Sequence, residues 1–362
     1  MKISSKLSEY SKGDGNQVRN CLISILKERI VKIPKLILLF FLLGFISSSS
    51  LFAQQYINWN GYIQTRFSSD FDHTSEFSIR RAKLWVYGTV PKANFITYKI
   101  QLNYRSFKDE SLMFQDAFAE LNFHSWGKVR AGRFVPDFML QRMQPDYKIP
   151  VLERAEVVNS LIHNEKQMAR ETGLTYFIQD DTLPLHFSLG VFNADVDKAV
   201  HSKNNYLLYT SRLVYKIIHN KNIWFNVGGS AAYRRLDKTT LTTIYKPDSI
   251  ISGNDFRWGL EGQFHWNNLE VQGEFIQAQI NHDIASGYYG LANYTFSKKY
   301  QAVILTEKYN DLNPATNDNA WYGLGFNYLY KGNTKLMSDF KTQQAGIKTN
   351  YLVEIQLQVF FN

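Results

Sequence analysis

Bond-making chemistry needs groups that the sequence does not set out at useful spacings. His124, His163, His186, His201, His219, His265 and His282 fall mostly in connections, with no spacing suited to a metal site, and no serine or cysteine sits in a turn that presents a nucleophile. Neither catalytic residues nor a metal or other cofactor is therefore expected. Positive charge does recur usefully. Arg66, Arg81, Lys83, Lys99 and Arg105, then Arg212, Lys216 and Arg234, lie opposite apolar side chains in alternating segments. Asp116, Glu120, Glu261, Glu270 and Glu274, with Arg257, supply the opposing sign elsewhere. Fixed charges of opposite sign on two walls of a narrow passage set a transverse field, which orients polar solutes and filters ions without binding them tightly.

Extended segments have to position these charges. From residue 56 onward the chain alternates with a period of two and is rich in Tyr, Phe, Trp and Val. Ile96, Tyr98, Ile100, Leu102 and Tyr104 share one face, and Thr97, Lys99, Gln101, Asn103 and Arg105 the other. At the end of the chain, Tyr351, Val353, Ile355, Leu357, Val359 and Phe361 oppose Glu354, Gln356 and Gln358. About sixteen such segments are expected, centred near residues 62, 82, 100, 119, 131, 174, 189, 211, 228, 259, 274, 292, 304, 325, 338 and 356. Short connections (90–93, 124–127, 180–183, 219–221, 267–268, 297–299, 331–333) alternate with long ones (135–169, 193–205, 236–251, 311–319). Short turns on one side and long loops on the other predict an all-β, antiparallel transmembrane β-barrel. Pro91, Pro136, Pro145, Pro150, Pro184, Pro247 and Pro314 all fall in connections, where a missing ladder donor does no harm. A soluble sandwich would alternate too. Aromatic residues near the ends of apolar faces, among them Trp59, Tyr215, Tyr233, Tyr330 and Tyr351, favour the barrel, because such rings gather at lipid headgroups.

A leader is expected over residues 1–53, with the barrel in residues 54–362. The apolar run 36–46 follows Lys27, Arg29, Lys32 and Lys35 and precedes Ala53, and it is too short to span a bilayer as a helix. The stretch before Lys27 is longer than a leader needs, and translation from a codon downstream of Met1 is the expectation. Cys21 is the single cysteine and lies in this segment. Residues 1–53 hold eight of the 41 Lys and Arg and three of the 32 Asp and Glu, so the remainder carries +4 rather than +9. A nucleic-acid partner therefore has no charge argument behind it.

Sixteen strands enclose a wide channel, and a selective one has to be narrowed. Residues 135–169 form the third loop, the longest connection, and hold Arg142, Lys148, Glu153, Arg154 and Lys166. Phe138, Met139, Leu140, Ile149, Val151 and Leu152 of the same loop would be unusual on a solvated surface, so the loop is expected to fold inward, the alternative being an external loop packed on itself.

Segments 77–84, 131–138, 152–155, 190–193 and 211–213 (FSIRRAKL, AGRFVPDF, LERA, GVFN and SRL) resemble the phosphate-selective porin family of types O and P. The resemblance implies a sixteen-stranded outer-membrane barrel that admits anions past arginines and lysines on its wall and third loop. By that similarity Arg80, Arg81, Arg133 and Arg154 take the basic positions. Where the family carries a lysine between the two halves of the fifth strand's motif, this chain has Val135, and Asp137 separates Pro136 from Phe138. The function expected is a porin for passive diffusion of small polar solutes in the outer membrane of a Gram-negative-type bacterium, weakly anion-preferring and open to phosphate. A substrate-specific channel for organic anions or carbohydrates is the alternative, and an outer-membrane β-barrel enzyme is the alternative of another class. Partners would be outer-membrane lipid and small anionic or polar solutes, with a homotrimer among the assemblies open to it. The expected anion path is Arg66, Arg80, Arg81, Lys83, Lys99, Arg105, Arg133, Arg142, Lys148, Arg154 and Arg212.

Overall fold

The computed structural model describes residues 57–362, apart from His73 and residues 107–110, 164–168, 180–182, 195–205, 314–318 and 346–347. The segment expected to be a leader and Lys166 lie outside the described residues. Sixteen strands follow in chain order: β1 (Ile57–Ser69), β2 (Ser75–Val90), β3 (Ala93–Arg105), β4 (Ser111–Asn122), β5 (Lys128–Phe134), β6 (Glu171–Ile178), β7 (Leu185–Asn193), β8 (Leu207–His219), β9 (Ile223–Thr239), β10 (Ile251–Trp266), β11 (Leu269–Ile280), β12 (Asp283–Phe296), β13 (Tyr300–Asn310), β14 (Asn319–Leu329), β15 (Lys335–Ala345) and β16 (Lys348–Phe361). Each pairs antiparallel with its chain neighbours, and β1 closes on β16 from Gly61 against Phe361 to Ser69 against Val353. The sequence pattern had located every strand to within a few residues.

The alternation is physical. On β16, Tyr351, Ile355, Leu357 and Val359 are exposed on the outside, while Glu354, Gln356 and Gln358 are buried within. On β14, Leu324 is 62% exposed and Asn327 is fully buried. A surface so apolar suits hydrocarbon rather than water. No helix among the described residues is long and apolar enough to cross a membrane.

Two short helices, α1 (Leu140–Met143) and α2 (Glu156–Leu161), lie in the segment between β5 and β6. Phe138, Met139, Ile149, Val151, Val157, Val158, Leu161 and Ile162 from this segment share one buried cluster with Leu236, Ile276, Ala278, Leu291, Val303 and Leu305 of the strands. Helix α2 packs on β11, β12 and β13. The third loop therefore lies against the inner wall, and β11 to β13 set an apolar patch on their inner face beside the buried Gln272, Glu274, Asn293 and Glu307. Two glycines make the approach possible: a Cβ on Gly259 would stand 2.5 Å from Met139 Sδ, and one on Gly287 would stand 2.7 Å from Val157 Cγ2.

Leu324 pairs with Ile304 on the outer face, and Ile304 is also exposed. Leu324→Arg should cost about 2–4 kcal/mol, the penalty of a cation on the lipid face near mid-bilayer. Urea unfolding in phospholipid vesicles measures it, and a cost near zero would place this face in water.

Candidate functional site

A bulge prepares the inner wall. Gln64 pairs with Arg81 and Thr65 with Ile79, which leaves Arg80 as an extra residue in β2. Alternation is broken there, so two consecutive arginines reach one carboxylate. Glu153 of the third loop takes Arg81 Nη2 at 2.8 Å, Arg66 Nη2 at 2.8 Å, and Arg80 Nε. Asp146 of the same loop takes Lys83 Nζ and Arg154 Nη1, with Arg81 Nε at 3.6 Å. Burial by itself would raise both carboxyls. The cations around them outweigh it, and both sit well below the usual carboxylate range.

Main-chain bonds reinforce this clamp. Gln358 Nε2 donates to the Tyr147 carbonyl at 3.1 Å, Lys335 Nζ to Ile149 at 2.7 Å, Asn327 Nδ2 to Pro150 at 2.7 Å, and Arg66 to Leu152 at 3.1 Å. The Leu152 N–H donates to Asp339 at 3.2 Å, and the Met139 N–H to Ser230 Oγ at 3.0 Å. A loop buried inside a barrel has no water for its peptide groups, so wall side chains supply the partners. At its far end, Arg257 donates to the Leu161 carbonyl at 2.9 Å, and Arg257 and Arg234 share Asp255, each at 2.8 Å. His163 Nε2 lies 3.6 Å from that carboxylate. Burial, then Arg257 and Arg234, push this imidazole down to about 4, so it is neutral at pH 7.

Between the loop and β1–β5 a cavity of about 290 Å³ remains, lined by Lys83, Lys99, Arg130, Arg142, Arg154 and Arg170 against the carboxylates Asp116 and Asp146. Lys99 Nζ and Arg170 Nε each reach Asp116 at 2.9 Å. Arg130 holds Glu120 at 2.8 Å and lies over Phe118, 4.7 Å from its ring centre. Six cations against Asp116, Asp146 and the Glu120 that Arg130 holds still leave an excess of positive charge, whose potential low-dielectric walls focus. A second cavity, on the β8–β10 side, includes Gln144, Gln179, His186, Arg212, Asn226 and Glu261, and it borders the first along Met143, Gln144 and Pro145. Its charges compensate, because Arg212 donates twice to Glu261 at 2.5 and 3.1 Å. Among the described residues no cluster could hold a metal ion.

The structure divides the residues singled out from sequence. Lys99, Arg142 and Arg154 face the first cavity. Arg105 stands half-buried at the outer end of β3. Lys148 is exposed, its Nζ 6.0 Å from the Tyr147 ring centre. Arg66, Arg80, Arg81 and Lys83 are corrected: their charge is used by loop carboxylates, and of the four only Lys83 also borders the first cavity. Arg212 is likewise compensated. Arg133 is corrected outright. It pairs with Ala117 and Thr172, on the face opposite the one that carries Arg130 and Phe134. Arg130 and Arg170 were missed, although Arg130 shares its strand face with Lys128 and Phe134 and the alternation could have placed it. Arg170 lies just past the loop, where no period operates.

A family model described as phosphate-selective porin O and P matches residues 55–359. No curated protein matches the sequence. Among solved structures, OmpF of Salmonella typhi, in complex with daunomycin, is similar at a TM-score of 0.62 and 13% identity, covering 86% of this chain and 100% of that one. An anion-selective porin from Comamonas acidovorans is similar at 0.60 and 12%, covering 84% and 99%. OmpT of Vibrio cholerae in its trimer form gives 0.55 and 10%, covering 84% and 99%. At such identities these likenesses show the fold alone.

Glu153→Gln removes the carboxylate shared by three guanidiniums, so the loop should loosen, giving a larger and noisier single-channel conductance. An unchanged, quiet conductance would show that the main-chain bonds hold the loop unaided. For pH the sign follows from the depressed carboxyls: their stabilisation is present above about pH 4, the ordinary carboxylate value, and is lost only below it, as pH falls through the folded values. Conductance and its noise should therefore rise as pH falls from about 4 to about 2, and a trace that stays level across that range would contradict the ion-pair clamp.

Proposed function

Because the chain belongs to the phosphate-selective porin O and P family, and so is a porin of the Gram-negative outer membrane, we propose that small polar solutes cross it passively, with a weak preference for anions, through the basic cavity beside the third loop. The observation that carries this reading is the excess of cations over carboxylates lining that cavity. Lys99, Arg130, Arg142 and Arg170 are the residues to which we assign the preference. Arg66, Arg80 and Arg81 serve it indirectly, by holding the loop. Phosphate falls within this reading, supported by the family description. It is a channel and no enzyme in this reading, supported by the family and by the porin fold.

Export through a leader ending at Ala53 and assembly as a homotrimer belong to the same proposal. The trimer form in which Vibrio cholerae OmpT is described supports the second.

In a planar bilayer under a salt gradient, the reversal potential should report an anion preference. Lys99→Gln with Arg130→Gln should move it toward cations, and more so at 10 mM than at 1 M salt, where the screening length falls from about 30 to about 3 Å. Arg133→Gln should leave it in place. A reversal potential that favours cations in the unaltered protein would overturn the proposal.

A further inference from the structure

We infer that the basic cavity is a binding site for small organic anions with a flat apolar body, aromatic carboxylates above all, rather than for bare inorganic ions. This rests on the channel reading above and narrows its solute. The cations of the cavity are interleaved with rings instead of being set apart from them. Arg130 lies 4.7 Å from the centre of Phe118 and 5.4 Å from that of Phe134, and Lys99 lies 5.8 Å from that of Trp85. Trp85 in turn stacks on Tyr147 of the loop, with centroids 5.7 Å apart and planes at 20°. Phe118, Val135, Met143 and Tyr147 all contribute to the lining. An anion that reaches Lys99 or Arg130 therefore stands beside an aromatic face.

An inorganic anion gains nothing from such walls, because losing hydration against carbon costs free energy that no contact returns. A ring-bearing anion gains twice, through its charge on the cations and its carbon on the rings. The cavity volume of about 290 Å³ lies at the lower edge of the range usual for small-molecule sites, about 300–1,000 Å³. That is room for one small organic molecule.

The test is block of chloride current through the intact channel in a planar bilayer, with benzoate, acetate and inorganic phosphate compared. Benzoate should block at about a tenfold lower concentration than acetate, the factor that burying roughly 55 Å² of additional apolar surface, part of one ring, supplies at the usual coefficient. Phe118→Leu, which keeps an apolar side chain but removes the ring, should bring the benzoate-to-acetate ratio toward one. Equal block by benzoate and acetate, or stronger block by phosphate, would overturn the inference while an anion-directed reversal potential left the channel reading standing. A ratio that Phe118→Leu does not change would place the benzoate site elsewhere and overturn it too.

Discussion

Hydrocarbon offers no hydrogen bonds, so a backbone that crosses it as strands must pair every one of them. That constraint requires β1 to meet β16 and makes closure a condition of folding. The rest of the architecture follows from it. Sixteen paired strands enclose more space than side chains on the wall can fill, and the residual lumen must be either water or protein. Here it is partly protein. The segment between β5 and β6 carries enough apolar residues to dry one side, and β11 to β13 answer with an inner patch of Ile276, Ala278, Leu291, Val303 and Leu305.

Filling part of the lumen brings a second requirement. A loop brought into the barrel carries peptide groups and charges that lose water, and each must find a partner. The wall provides them as amides, a lysine and a buried aspartate at main-chain positions, and as Arg66, Arg80, Arg81 and Lys83 around Glu153 and Asp146. Buried ion pairs of this kind add little net stability, yet removing one partner strands the other. Their contribution is to specify where the loop lies, and hence where the open path runs. Positioning and conduction are thereby separated on one wall: arginines near the β1–β2 bulge hold the loop, and cations from β3, β5 and the loop line the passage.

The sequence by itself determined the barrel, because alternation is a local property: a strand with lipid on one side and lumen on the other has to place apolar and polar residues in turn. Tyr351 to Phe361 against Glu354 to Gln358 shows this in the sequence alone. Basic residues on the first strands, and an apolar third loop, were legible in the same way. The partner of each charge was not. Glu153 lies 87 residues from Arg66 in the chain, and no spacing reveals that a loop carboxylate consumes that guanidinium. The bulge at Arg80 depends on register with neighbouring strands, which alternation inside one segment cannot fix. The apolar inner patch of β11 to β13 broke the rule that apolar means lipid, since that patch meets the loop instead of water. Periodicity records what medium a residue faces, and tertiary structure alone decides which other residue supplies that medium.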